Sequence, residues 1–150
     1  MFHIYYLNLV LSKIHRYKLI LLVVVILTEN YNIFGICYYF HITLNDYAHE
    51  RLEPNVPPVA ERIDTFRRLA TKIGKERVIW RFDPLLLSNE ISMDVLLKRI
   101  GNIGRQLKGY TEKLVVSFID IASYRKVQNN LAGFGVREFS PEEQVQFAKG

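Results

Sequence analysis

The sequence predicts an α/β fold built on a parallel sheet. A strand-then-helix pattern recurs three times, beginning near Cys37, Arg77 and Lys113. The helical stretches carry apolar residues at three- and four-residue spacing, and the strands are separated by stretches long enough for the crossovers that parallel neighbours require. A partial TIM-type barrel is the expected form, with an open doubly wound sheet as the alternative. Three units do not fix closure, and a full eight-unit barrel runs to about 250 residues, against 150 here. The chain divides into an apolar segment over 1–36 and an α/β domain over 37–150.

The amino-terminal segment has its own character. Leu19 to Leu27 is an unbroken run of Leu, Ile and Val preceded by Lys13, His15, Arg16 and Lys18, the outline of a basic region ahead of a signal-like or anchoring core. Glu29 and Asn30 close it well short of the about 20 residues a membrane helix needs. Its Val and Ile content equally suits a strand buried on both faces of a parallel sheet. Three readings therefore stand: buried strand, anchor, or a segment foreign to the fold.

From Cys37 the elements follow in order. Cys37 to Leu44 is expected as a strand, with Tyr39, His41 and Thr43 on one face and Tyr38, Phe40, Ile42 and Leu44 on the face that packs on helices. Pro54, Pro57 and Pro58 hold the next stretch out of helix until the last of them sits in a first turn. Val59, Ile63, Phe66, Leu69, Ala70 and Ile73 then mark a helix, stopped by Gly74 as a left-handed cap. Val78 to Phe82 is the second strand, broken at Asp83-Pro84 because proline has no amide to give a ladder.

Ser92 is an N-cap with Asp94 in the first turn, and Met93, Leu96, Leu97, Ile100, Ile103 and Leu107 form the second stripe, ending at Gly109. Leu114 to Ile119 is the third strand, Tyr124, Val127 and Leu131 mark a shorter helix, and Ser140-Pro141-Glu142-Glu143 opens a last one as a capping box.

Composition narrows the function classes. A hydrophobic content of 49% with 23% charged residues is that of a globular chain, and one cysteine gives neither an internal disulfide nor a cysteine-held metal centre. A cytoplasmic location is the default, with membrane association through residues 19–27 as the alternative. The net charge of +5 is interleaved with acids along the helices, so nucleic-acid binding is not indicated. Gly101 and Gly104 form a GxxG inside a helical stripe rather than after a strand, which argues for close packing against a phosphate cradle.

In folds of this class the chemistry sits at the carboxyl ends of the strands. The pocket-lining candidates there are Thr43, Arg81, Asp83 and Asp120. Arg81 and Asp83 lie two apart on an extended segment and share a face, where a guanidinium can fork a carboxylate or phosphate; a salt bridge within the barrel is the plainer reading. Asp120 is open to three roles: orienting Arg81, acting as a general base, or capping the helix that follows. His41, on the polar face with Thr43, is a base only if a carboxylate is placed beside it. No metal ligand set and no catalytic residue is assigned.

A resemblance adds to this. The runs Tyr39 to Tyr47, Glu53 to Pro58, Glu76 to Pro84, Gly109-Tyr110-Thr111 and Val116 to Asp120 resemble, over roughly residues 38–149, the bacterial family known as the domain of unknown function eighteen forty-eight. That family is similar to spore photoproduct lyase and hence to radical S-adenosylmethionine enzymes. The resemblance implies a barrel-like fold and, in complete members, a carboxyl-terminal cysteine cluster holding an iron-sulfur centre that works with S-adenosylmethionine. It also implies an amino-terminal Ser-Arg-Arg-Thr-Asp motif.

Neither the cluster nor that motif stands in these 150 residues. The expectation is a fragment of a radical-type barrel enzyme, inactive alone and carrying no cofactor itself, with sheet edges that pair with a complementary fragment or with themselves. A small anion-binding module using Arg81 and a membrane-tethered interaction protein are the alternatives.

Overall fold

The computed structural model describes residues 39–121, 131 and 133–149. The apolar segment over 1–36, including the Leu19 to Leu27 run, and the expected helix through Tyr124 and Val127 lie outside the described residues. Among those described, no helix is long and apolar enough to cross a membrane.

Three strands, β1 (Phe40–Thr43), β2 (Val78–Leu85) and β3 (Leu114–Phe118), form one parallel sheet in the order β1-β2-β3. Helix α1 (Val59–Ile73) links the first pair and α2 (Met93–Leu107) the second, and α3 (Pro141–Lys149) follows. This is the alternating α/β architecture the sequence predicts, one sector of a barrel or one wing of a doubly wound sheet. Register places Phe40 opposite Val78, Ile42 opposite Trp80, and Phe82 opposite Val116.

One sheet face is apolar and covered. Val78, Trp80 and Phe82 are buried with Ile63, Phe66 and Leu69 of α1 and Leu96, Ile103 and Leu107 of α2 in a single core. Tyr47 and Trp80 meet Phe82 edge-on at 5.6 and 6.4 Å, a favoured arrangement for aromatic quadrupoles. The two helices are tied to each other where Arg67 donates twice to the Gln106 carbonyl, at 2.9 and 2.7 Å, and lies over the Tyr110 ring. Gly104 faces Trp80, and a Cβ added there would meet the ring at an ordinary 3.6 Å, so the glycine eases the approach without being demanded by it. A second aromatic knot, Phe118, Phe139 and Phe147, joins the end of β3 to α3.

The caps match the expected chemistry with two exceptions. Ser92 Oγ accepts from the Val95 amide. Ser140 and Glu143 exchange side-chain-to-amide bonds as a capping box, Ser140 Oγ accepting from Glu143 N at 3.2 Å and Glu143 Oε2 from Ser140 N at 2.9 Å. Gly74 does end α1, its amide donating to Ala70, but its φ of 98° and ψ of 139° lie outside the left-handed helical region, and a single 3-10 turn over Lys75–Arg77 follows before β2. Pro58 stands one residue ahead of α1 rather than in its first turn.

Two strand boundaries also differ. β1 covers Phe40–Thr43, so Tyr39 and Leu44 fall outside it, and Cys37 and Tyr38 of the expected strand lie outside the described residues. β2 runs through Asp83-Pro84, where the peptide bond is cis, to Leu85. The ladder to β3 shifts register between Phe82 and Leu85, so the missing proline donor falls in an irregularity rather than ending the strand.

Phe82→Ala, at a fully buried ring that meets Tyr47 and Trp80, is expected to cost about 3–5 kcal/mol in urea unfolding. Val145→Ala on the open side of α3 is expected to stay within about 0.5 kcal/mol of the parent. Similar losses at the two positions would contradict this placement of the core.

Candidate functional site

The second sheet face carries the sheet's polar side chains, with Ile79 and Val115 among them. By register, His41 lies opposite Ile79, Thr43 opposite Arg81, and Arg81 opposite Val115, so β1, β2 and β3 present His41, Thr43, Arg81, Asp83 and Ser117 side by side. Three of the four predicted residues, Thr43, Arg81 and Asp83, are brought together here. Arg81 is in the middle of β2 rather than at its end, because the strand continues past the proline. Asp120 follows the end of β3, exposed, beside the segment outside the described residues.

Charges on this face are organised around Asp83. Its carboxylate pairs through Oδ2 with Arg81 Nη2 and accepts through Oδ1 from the Ser117 hydroxyl. Arg81 Nε is buried and, among the described residues, has no hydrogen-bond acceptor. A buried N–H left in that condition costs free energy that an incoming acceptor would recover. Partial burial lowers the His41 pKa from its ordinary 6.5, and the positive charges of Arg81 and then Lys113 push it the same way. The shift favours the uncharged imidazole at neutral pH.

The scaffold behind the site was largely missed in the sequence reading. Asn45, 3% exposed, directs its amide at the backbone of Asp83: Oδ1 accepts from Asp83 N and Nδ2 donates to Asp83 O, both at 2.9 Å. Arg62, 4% exposed, donates to the Asn45 and Pro57 carbonyls at 3.0 Å and pairs with Glu53 at 3.4 Å. Tyr47 donates its hydroxyl to the Pro84 carbonyl at 2.8 Å, and burial raises its pKa far enough to keep that proton in place. Arg62 reads in sequence as part of a solvated helix face. Its position one turn into α1, just after three prolines, was the available signal that it turns inward toward the loop carbonyls.

A second concavity, about 470 Å³, opens between the loops that follow β1 and β2. His49, Glu50 and Glu90 bring one ligand-type atom each to within 4.8 Å of one another there, the closest approach to a metal-ligand set among the described residues. Glu50 is already engaged. Arg99 grips both its oxygens, at 3.0 and 2.6 Å, and donates to the Asp46 carbonyl at 2.6 Å, while His49 and Glu90 are largely in solvent. The arrangement reads as a loop anchor with two exposed neighbours.

Comparison with known proteins gives one finding. A family model described as "Domain of unknown function (DUF1848)" matches residues 21–150, which takes in residues 21–37 as well as the stretch that carries the resemblance described above. Neither the curated proteins nor the solved structures give a match.

The Glu50–Arg99 pair has a defined pH signature. Burial alone would raise the Glu50 pKa, but the Arg99 hydrogen bonds and charge bring it below the ordinary 4.5. A depressed carboxyl stabilises the fold above its unfolded-state pKa, and that contribution is lost as pH falls through the folded value. Glu50→Gln is expected to cost about 2 kcal/mol at neutral pH, with the gap from the parent narrowing on the acid side of 4.5 in pH-dependent urea unfolding. A gap that does not change with pH would rule the pair out as the source.

Proposed function

The chain belongs to the DUF1848 family, and from that membership and the polar sheet face we propose that it forms one sector of a barrel-type enzyme, with Arg81 binding an anionic group of the substrate. The observation that carries this is the buried Arg81 Nε without an acceptor. Its guanidinium is held on one side by Asp83, leaving the remaining donors to grip a carboxylate or phosphate in a fork. Thr43 and Ser117 add hydroxyls on the same face.

In this reading the covered face is the outside of the barrel wall and the polar face is its interior. Both helices share the covered side, as successive crossovers of a barrel do. Asp120, beyond the end of β3, belongs to the rim.

The similarity of the family to radical S-adenosylmethionine enzymes points to a reaction begun by an iron-sulfur cluster. Such a cluster is held mainly by cysteine thiolates. These 150 residues contain one, Cys37, and the polar face has none, so the residues present do not fit the group. No step is assigned to it, and in this proposal the chain supplies the binding wall while the cluster ligands come from elsewhere. Among the described residues β1 and β3 are the edge strands, and further strands would join there.

A free-standing anion-binding module would use the same Arg81, and the same titration tests both. Inorganic phosphate titrated calorimetrically into the purified chain is expected to bind, with affinity falling at least tenfold in Arg81→Ala. Arg68→Ala, a solvent-exposed cation on α1, is expected to leave it within twofold. Equal affinity in the parent and Arg81→Ala would defeat the proposal.

A further inference from the structure

We infer that Asn45 is a positioning residue for the anion site: it fixes Asp83, which in turn sets the pose of Arg81. This rests on the reading of Arg81 as the anion-binding group.

β1 and β2 are joined up to the bond from the Leu44 amide to the Arg81 carbonyl, at 2.9 Å. One residue further along β2, the ladder to β3 loses its register and Pro84 has no N–H. The Asp83 N–H and C=O at this point have to be satisfied or bear the cost of burial unpaired. The Asn45 side chain meets both, its amide standing in for the backbone of a neighbouring strand. A two-point grip on one peptide-bearing residue fixes rotation as well as position. The Asp83 carboxylate is thereby aimed where it meets both Arg81 Nη2 and the Ser117 hydroxyl.

Asn45 is itself braced. Its carbonyl accepts from the buried Arg62, and its Nδ2 also donates to Glu53 at 3.2 Å. Every hydrogen-bonding direction of the amide used in the grip is accounted for, so the side chain has no alternative pose of similar energy. The functional consequence lies in which guanidinium nitrogen remains available. With Asp83 held against Nη2, the ligand is left Nε and the remaining guanidinium protons. With Asp83 released, its carboxylate is free to swing across the guanidinium and compete for the same donors.

The test separates positioning from stability. Phosphate affinity is measured calorimetrically, well below each protein's thermal transition, for the parent, Asn45→Ala, Arg81→Ala and the double variant. Asn45→Ala is expected to weaken phosphate binding about tenfold in the parent background and to change nothing further once Arg81 is gone. Asn45→Asp, which keeps an acceptor for the Asp83 N–H but turns an oxygen toward the Asp83 carbonyl, is expected to weaken it to a similar extent. Where the alanine variant does not fold, Asn45→Ser gives the same comparison.

A purely structural asparagine would lower the melting temperature and leave affinity within twofold, which would overturn the inference. So would a loss of similar size in both backgrounds. If the parent does not bind phosphate, or Arg81→Ala binds it equally well, the anion-site reading itself fails, an outcome distinct from an unchanged Asn45→Ala beside a weakened Arg81→Ala.

Discussion

A proline in the middle strand of a parallel sheet is the constraint on which the rest of this molecule turns. β2 has a neighbour on each side, and Pro84 can donate to neither. The irregularity is absorbed by side chains from the loop after β1 and by the end of β3. Asn45 takes both backbone groups of Asp83, Tyr47 takes the Pro84 carbonyl, and Ile119 N resumes pairing at the Leu85 carbonyl. Three consecutive polar requirements are thus met from two different neighbours, and the strand continues where local chemistry alone would end it.

The loop that does this is held by charge as well as by packing. Two arginines enter it from the two helices, Arg62 from α1 and Arg99 from α2, and each meets a glutamate of the loop together with a backbone carbonyl. Buried ion pairs of this kind contribute little net stability against an apolar replacement, but losing one partner is costly. Their effect here is on uniqueness of shape: a loop rich in proline is tied at Asn45, Asp46, Glu50, Glu53 and Pro57. The polar face of the sheet inherits that rigidity through Asn45.

Much of the scaffold was legible in the sequence. The stripes of α1 and α2, the Ser92 cap and the Ser140–Glu143 box all rest on spacing and local hydrogen bonding, which sequence states directly. The pairing of Thr43, Arg81 and Asp83 on one face followed from two-residue alternation. What escaped was non-local. The continuation of β2 past Pro84 depends on an asparagine 38 residues away, and the inward turn of Arg62 on carbonyls presented by the preceding loop.

The motif residues behind the family resemblance, among them Asn45, Tyr47, Glu53, Pro57, Asp83 and Pro84, prove to be members of one connected hydrogen-bonded network. Separate runs in the sequence are a single object in space. Composition and periodicity contain no term for that kind of contact.

The order of the strands bears on how the chain is made. Phe40 pairs with Val78 and Trp80 with Leu114, so each ladder joins partners separated by more than thirty residues. During synthesis β1 has no mate among the described residues until α1 and β2 have left the ribosome, and β2 stays half-paired until α2 and β3 follow. Contacts of such long sequence separation make folding slow. The nascent chain therefore passes through a stage in which the sheet's central ribbon is bare along one side, when a chaperone has most to protect.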